Sequence, residues 1–375
     1  MGKKQMIEYE IHGPKSQELS LKRVVLALQE NRFPQAVLID GAAGIGKKKL
    51  AIELMQALLC THPEKRPCGK CFGCKSALAP EVAEQWLIPL KAEEAKAKTA
   101  EEMTSRSKST SVEEFTSSYA KKILENPYAI DYLPPESIIS IDLVRALNKK
   151  FTLRSPTARC VIIAEAERMN TEAANAFLKT LEEVPDNTYF ILTTPSKDLL
   201  LETIRSRCSS IHLQTWTDEE IKYEFQKQFS REISPDNLGL CLGSFGRAMF
   251  FDEYIESTSS LAVSFITLAY EKRYSDLFLL LQQAGSKIEL DSALLLLDVL
   301  SFLLVDITRA QANLPLRLPE TFSKIPISLL EHTSPKSVQI ALNKVQETSK
   351  ILAGRSTSIM MTLQTLAIKL FDGEL

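Results

Sequence analysis

Residues 33–50 have the sequence FPQAVLIDGAAGIGKKKL, in which an apolar run leads into a glycine-rich loop and then into a helix. The run from Ala36 to Ile39 predicts a short buried strand, and we expect the helix from about Lys47 to Leu59. Glycines between such elements let successive backbone N–H groups face one anion at the helix N-terminus, with a lysine on the terminal phosphates. The order therefore predicts a phosphate-binding P-loop. Its candidate residues are Gly41, Gly44, Gly46 and Lys47.

Two positions depart from a P-loop that hydrolyses nucleotides. The residue after the P-loop lysine normally supplies a hydroxyl to Mg²⁺, but here it is Lys48, whose ammonium cannot ligate a cation. A second predicted strand, Cys160 to Ile163, should end in an acidic pair, but its first position is Ala164 and only the second, Glu165, is acidic. Because two magnesium contacts are missing from one chain, we expect no intrinsic ATPase activity. We regard ATP or ADP binding at this degenerate site, including at Lys48, as doubtful.

A cysteine cluster follows the P-loop helix and consists of Cys60, Cys68, Cys71 and Cys74. Two-residue gaps let neighbouring thiolates wrap one tetrahedral ion, and four thiolates complete a closed structural zinc site. His62 is a possible competing ligand, and the alternative interpretation is a set of unrelated free thiols. We predict a zinc ion that stabilises the fold and has no catalytic role.

Composition limits the class of protein. The chain has 375 residues and a net charge of −2, and its pI near 6.2 argues against a broadly basic nucleic-acid binder. The N-terminus has no apolar region typical of a signal peptide. The longest apolar stretch, Leu294 to Ile307, is too short and too charged to span a membrane. We therefore expect a cytoplasmic protein, in which this stretch is a buried helix with Asp291, Asp298 and Asp306 on one wet stripe.

Periodicity and capping residues predict further elements. We expect helices around 17–30 and over 171–183, the second with Asn170 as its N-cap, and strands over 188–194 and 210–213. Beyond about residue 218 the chain is expected to be helical. There the pair Ser334-Pro335 predicts a helix start. The bundle-core stripe of this helix is Val338, Leu342, Val345 and Leu352.

An insertion occupies about residues 91–135. Up to residue 118 it is rich in Ala, Lys, Glu, Ser and Thr and poor in large apolar residues. Such composition is typical of a solvated helix or a flexible segment. A partner site is the alternative, and we favour a tolerated loop.

Several motifs in order resemble a known family. The P-loop and the cysteine cluster are followed by the run AEAERMNTEAANAFLKTLEE at 164–183, by Ser206-Arg207-Cys208 and by the segment GSFGR at 243–247. Together they resemble bacterial clamp-loader subunits of the AAA+ superfamily, those of DNA polymerase III in particular. The resemblance spans nearly the whole chain except the insertion.

The resemblance implies an architecture. An α/β P-loop (AAA+) domain with a structural zinc module at 60–74 and the insertion would occupy residues 1–213. A small helical lid domain would follow at 214–252, and an all-α C-terminal collar domain at 253–375. The collar would associate with the collars of sibling subunits.

The resemblance also implies a role. Lys48 and Ala164 favour the delta-prime type, which lacks a working ATP site, over the motor type, gamma/tau. Arg207 would then act in trans as an arginine finger on the neighbouring motor subunit, the alternative being an ordinary surface arginine. Arg247 matches the family's second sensor and would hold phosphate or form an interdomain ion pair. Thr194 matches the first-sensor region, where, for a site without hydrolysis, we expect a strand-end hydroxyl that satisfies backbone and not a catalytic sensor.

The implied partners are the gamma/tau and delta subunits, the sliding clamp and, through the assembled complex, primer–template DNA, with no membrane. A competing hypothesis is an active gamma/tau-like ATPase that uses Lys47, with Glu165 or Glu167 supplying the missing acid. A zinc-dependent nucleic-acid-binding module is a third hypothesis, disfavoured by the acidic pI.

Overall fold

The structure is a computed structural model that describes residues 7–80, 85–91, 112–130, 137–151, 155–283, 290–354 and 358–371. Within these ranges the contacts divide the chain into two units. The first comprises 7–130, 137–220 and 243–246, and the second comprises 221–242 and residues from 247 onward. The three-domain division drawn from the sequence stays a prediction.

The strands, labelled in chain order, are β1 (Glu8–Tyr9), β2 (Ala36–Asp40), β3 (Lys65–Arg66), β4 (Trp86–Leu87), β5 (Arg159–Ile163), β6 (Thr188–Thr194) and β7 (Ser209–His212). Five of them form a parallel sheet in the order β4-β5-β6-β2-β7, while β1 and β3 form a separate parallel pair. Every residue of β2 is buried, as expected for a central strand covered on both faces. The P-loop therefore follows an interior strand of the sheet at its carboxyl edge, where ligands bind in open α/β sheets.

The helices of the α/β unit are α1 (Glu18–Gln29), α2 (Lys47–Leu59), α3 (Phe72–Ala77), α4 (Val112–Glu125), α5 (Ile141–Phe151), α6 (Thr171–Glu182) and α7 (Glu202–Arg205). The predicted bounds of α2 and β6 are confirmed. The predicted cap of α6 is also confirmed, since Oδ1 of Asn170 accepts a hydrogen bond from the backbone N–H of Ala173 at 2.8 Å. Local sequence signals therefore place the elements around the P-loop correctly.

The remaining helices are α8 (Asp218–Phe229), α9 (Pro235–Cys241), α10 (Phe245–Tyr270), α11 (Tyr274–Gln283), α12 (Leu290–Gln311), α13 (Pro319–Phe322), α14 (Ile327–His332), α15 (Pro335–Gly354) and α16 (Ile359–Lys369). The core of the second unit forms where α12 packs against α15. Helix α15 begins at Pro335, as predicted, and Oγ of Ser334 accepts from the backbone N–H of Ser337 at 3.1 Å. Val338, Val345 and Leu352 are buried and Leu342 packs against the core, so the predicted stripe is confirmed.

The predicted wet stripe on α12 is wrong at Asp306, whose exposed fraction is 0%. Its carboxylate accepts hydrogen bonds from the backbone N–H groups of Arg317, at 2.9 and 3.0 Å, and Leu318, at 2.7 Å. The charge is tolerated inside because it satisfies donors that the following loop would otherwise bury without partners. Among the described helices, none is long and apolar enough to cross a membrane.

Residues 112–125 of the insertion form helix α4, which agrees with the helical option and not with the loop that we favoured. Thr116, Ala120 and Ile123 are buried on one face of this helix. Apolar residues recur at 3–4 spacing here and outweigh the polar composition of the run before them. Residues 92–111 and 131–136 lie outside the described ranges.

Candidate nucleotide and metal sites

The P-loop joins β2 to α2 through three glycines with left-handed backbone conformations. The φ angles are 147° at Gly41, 74° at Gly44 and 108° at Gly46, values that side chains rarely adopt. Space is also lacking, since a Cβ at Gly41 would lie 2.6 Å from the carbonyl oxygen of Leu213. The glycine pattern is therefore required by the fold itself, before any ligand is considered.

Lys47 is turned onto its own loop. Its Nζ donates hydrogen bonds to the carbonyl oxygens of Gly41 and Ala42, both at 2.7 Å. Burial and then the neighbouring charge of Lys48 lower the pKa of Lys47 to about 8. In this conformation the P-loop lysine satisfies backbone acceptors of the chain.

Lys48 is buried, with 8% of the residue exposed, although it carries a charge. Its Nζ lies 3.8 Å from Oε1 of Glu165 and 5.3 Å from the ring centroid of Tyr119. Glu165 also approaches Arg168, with 3.3 Å between its Oε2 and the arginine Nε. The position where a P-loop nucleotidase supplies a metal ligand therefore holds a fixed cation of the protein.

The acid side of the site follows β5. Ala164 is fully buried and offers no oxygen ligand from its side chain, and Glu165 has a left-handed backbone with φ of 50°. Burial, followed by the charge of Glu165, raises the pKa of the Glu167 carboxyl. Both carboxyls of the competing ATPase hypothesis are thus constrained: Glu165 is paired with Lys48 and Arg168, and Glu167 is largely buried.

Thr194, the matched first-sensor position, is buried at the end of β6. Its Oγ1 donates a hydrogen bond to the carbonyl oxygen of Ser196 at 3.0 Å. This contact agrees with the expected backbone-satisfying hydroxyl.

Arg247 belongs to the second unit and is engaged there. Its Nη2 lies 2.9 Å from Oδ2 of Asp298, and its Nε donates to the carbonyl oxygen of Leu240 at 3.0 Å. The guanidinium also stacks over the ring of Phe251, 4.9 Å from the centroid. Arg247 thus forms an ion pair within the second unit, while the interdomain ion pair and the role toward phosphate both stay predictions.

Arg207 follows α7 and remains about one-third exposed at its side chain. Its Nη2 lies 2.6 Å from Oε1 of Glu182, and its Nη1 donates to the carbonyl oxygen of Thr203 at 3.0 Å. A surface ion pair of this kind is weak and salt-sensitive. The guanidinium is therefore held by surface contacts and is not buried in the interior.

The four cysteines that were predicted to bind zinc meet between the end of α2 and the start of α3. Their Sγ atoms all lie within 4.8 Å of one another. Cys60 and Cys71 are 3.8 Å apart and Cys68 and Cys74 are 4.0 Å apart at sulfur. Zn–S bonds of about 2.3 Å in a tetrahedron place sulfurs roughly 3.8 Å apart, so the cluster fits a metal ion.

His62 does not join this set. Its Nδ1 accepts hydrogen bonds from the backbone N–H groups of Glu64 at 3.3 Å and Lys65 at 3.2 Å. Backbone N–H groups also reach the sulfurs, from His62 to Cys60 at 3.5 Å and from Cys71 to Cys68 at 3.4 Å. Such donors support thiolate charge around a bound cation.

Sequence reasoning missed the residues that surround the P-loop from elsewhere in the chain. Trp216 donates from Nε1 to the carbonyl oxygen of Ile45 at 3.0 Å, and Ser244 donates from Oγ to that of Ala43 at 2.8 Å. Tyr119 and Tyr128 come from the insertion. Of these four residues only Tyr119 lies within α4, where the apolar spacing offered a signal.

Comparison with known proteins gives a consistent family. The model of the family described as DNA polymerase III, delta subunit, matches residues 16–217. The DNA polymerase III subunit delta′ of Haemophilus influenzae is 28% identical over 239 residues, which cover 62% of this chain and 59% of the relative. The tau/gamma subunit of the same organism is 26% identical over 220 residues, covering 58% of this chain and 26% of the relative. The matched segments thus span less than two thirds of these relatives.

A solved structure also aligns over most of the chain. It is a DNA polymerase III gamma subunit-related protein from Thermotoga maritima, with 17% identity and a TM-score of 0.47, covering 95% of this chain and 99% of that one.

We predict that Lys48→Met moves the pKa of Lys47 from about 8 back toward 10.5, because a neighbouring positive charge disappears. The lowered pKa means that the unfolded chain binds more protons than the folded chain between these values. The free energy of unfolding should therefore rise with pH across that window, and the rise should shrink in Lys48→Met. NMR titration of the lysine Nζ groups measures the pKa directly.

Lys49→Met is the matched control, since Lys49 pairs with Glu53 and is not among the charges that act on Lys47. It should leave the titration of Lys47 unchanged. The same Lys47 pKa in Lys48→Met as in the natural chain would contradict the electrostatic account.

Proposed function

The chain belongs to the DNA polymerase III delta subunit family, and from this premise we propose that it is a delta-prime-like subunit of the replicative clamp loader that does not itself hydrolyse ATP. In this role it is a stator beside the gamma/tau and delta subunits. The assembled loader places the sliding clamp on primer–template DNA. Relatives named delta′ and tau/gamma support membership of such a complex. DNA contact would come through the assembly, since the net charge of −2 offers no broadly basic surface.

The proposal includes the domain division drawn from the sequence. An AAA+ P-loop domain would extend to residue 213, a helical lid would follow to 252, and a helical collar would occupy 253–375. The parallel sheet around the P-loop and the helical core of α12 and α15 support the first and last of these assignments. The collar would associate with the collars of sibling subunits.

One observation carries the non-hydrolysing role: the buried ammonium of Lys48 pairs with Glu165 beside the P-loop. Catalysis of phosphoryl transfer depends on metal ions that bridge the phosphates and neutralise developing charge. A lysine at this position repels Mg²⁺ and occupies the carboxylate that would attract it. Ala164 removes a further ligand.

The alternative is an active gamma/tau-like ATPase, which the similarity to a tau/gamma subunit keeps in view. It requires Glu165 or Glu167 to replace the missing acid. Glu165 is paired with Lys48 and Arg168, and burial favours the protonated form of Glu167. These contacts support the non-hydrolysing role over the alternative.

Arg207 is the residue through which the chain would contribute to catalysis. A guanidinium forks onto phosphate oxygens and stabilises charge in the transition state of the neighbouring subunit's site. The exposed side chain and its weak pairing with Glu182 leave it able to turn toward a partner.

We expect Arg207→Ala to lower the clamp- and DNA-stimulated ATPase rate of the reconstituted loader by at least about tenfold, because the motor subunit loses its finger. The loader should still assemble, as judged by its elution in size-exclusion chromatography. The ATPase rate is measured at saturating ATP on the assembled complex.

Arg205→Ala provides the matched control. Arg205 lies two residues away and pairs with Asp198 on the surface, so its loss should leave the rate near that of the natural loader. An unchanged rate for Arg207→Ala in a correctly assembled loader would exclude the finger role.

We also propose that the cysteine cluster holds a structural zinc ion. Cys60, Cys68, Cys71 and Cys74 would bind it as thiolates and tie the end of α2 to the start of α3. The ion would stabilise this corner of the fold without an open position for chemistry.

Purified protein should contain about one zinc ion per chain, and Cys71→Ser should lose it and melt at a lower temperature. Metal analysis and thermal melting measure the two effects. Cys208→Ser, a cysteine outside the cluster, should retain the metal. Full zinc content in Cys71→Ser would rule out the assigned ligand set.

A further inference from the structure

Residues 119–130, here called the cap segment, lie directly on the P-loop. The ring of Tyr119 faces the ammonium of Lys48 at 5.3 Å. A Cβ added at Gly46 would meet Cε1 of Tyr128 at 3.1 Å, and one added at Gly44 would meet Cγ1 of Ile130 at 3.1 Å. The insertion thus covers the glycines at which a P-loop approaches its ligand.

Tyr128 is anchored in an aromatic cluster. Its ring centroid lies 5.7 Å from that of Trp216 and 5.2 Å from that of Phe245, both in edge-on geometry. Trp216 and Phe245 stack on each other at 5.3 Å. Edge-on and stacked aromatic pairs add to the burial of their surface, so the ring is fixed against the loop.

The backbone before Tyr128 is shaped for this position. Oδ1 of Asn126 accepts from the N–H of Tyr128 at 3.2 Å, and the carbonyl of Asn126 accepts from the N–H of Ala129 at 3.0 Å. Gly246 leaves room for the backbone of Tyr128, since a Cβ at Gly246 would lie 2.0 Å from the carbonyl oxygen of Tyr128. The cap segment and the segment at 243–246 therefore pack at backbone contact.

The P-loop carbonyls are satisfied from within the same unit. Lys47 donates to the carbonyl oxygens of Gly41 and Ala42. The carbonyl of Ala43 accepts from Oγ of Ser244 at 2.8 Å, and that of Gly44 accepts from the N–H of Gly246 at 2.9 Å. The carbonyl of Ile45 accepts from Trp216 and also from Nε2 of Gln17, at 3.2 Å. A nucleotide would have to displace the ring of Tyr128 and draw Lys47 away from two acceptors.

We propose that the cap segment covers this P-loop as an intramolecular competitor and thereby excludes nucleoside di- and triphosphates. This proposal extends the proposed function and rests on it for the absence of ATP hydrolysis at the site. A competing conformation reduces apparent affinity by the fraction of molecules that remain open. Weakening the contacts of the cap segment should therefore tighten nucleotide binding relative to the natural chain.

The test is calorimetric titration of the full chain with ADP in the absence of Mg²⁺, because Lys48 already occupies the cation position. The expected result is at least about tenfold tighter ADP binding by Tyr128→Ala than by the natural chain. Tyr223→Ala, which removes an exposed tyrosine from helix α8, is the matched control and should behave like the natural chain. If Tyr128→Ala fails to fold, Tyr128→Leu keeps an apolar side chain in the cluster and is held to the same result.

Equal ADP affinity for the natural chain and the folded Tyr128 variant would overturn the proposal, and so would binding by neither. Both outcomes leave the Arg207 test of the assembled loader untouched. Failure of the proposed function would instead appear as an ATPase rate that does not respond to Arg207→Ala. The two failures are therefore distinguishable.

Discussion

The pairing of Lys48 with Glu165 is the constraint on which the site depends. A buried ammonium is tolerated only when an opposite charge and further contacts compensate its loss of water, and here Glu165 and the ring of Tyr119 provide them. Burial, followed by this same charge, lowers the pKa of Lys47. The ammonium of Lys48 is thus a fixed cation of the site, with which Glu165, Tyr119 and Lys47 all interact.

The P-loop has structural contacts in the fold that do not require a bound nucleotide. Gly41 is needed because its Cβ would collide with the backbone near Leu213, and Gly44 and Gly46 receive the cap segment at close range. The loop still joins the interior strand β2 to α2 and accepts hydrogen bonds from Trp216 and Ser244. Its glycines therefore have a structural role in the folded chain. Glycine spacing alone does not distinguish a P-loop that hydrolyses nucleotides from one that does not.

Local signals predicted much of the fold. The bounds of α2 and β6, the cap at Asn170 and the convergence of the four cysteines follow from short-range spacing, and the structure agrees. Errors arose where distant residues decide. Asp306 is buried because a loop eleven residues away donates to it, and helix α4 turns apolar side chains inward although its surroundings are polar. The pairing of Arg247 with Asp298, and of the cap segment with the P-loop, joins parts of the chain that no local pattern connects.

The most direct test of the central claim is magnesium-dependent ATP hydrolysis by the isolated chain. The account predicts a rate indistinguishable from the protein-free background, since a fixed ammonium stands where the metal would be held. Turnover that requires Mg²⁺ and disappears in Lys47→Ala would contradict it. The active gamma/tau-like alternative would then describe the chain better.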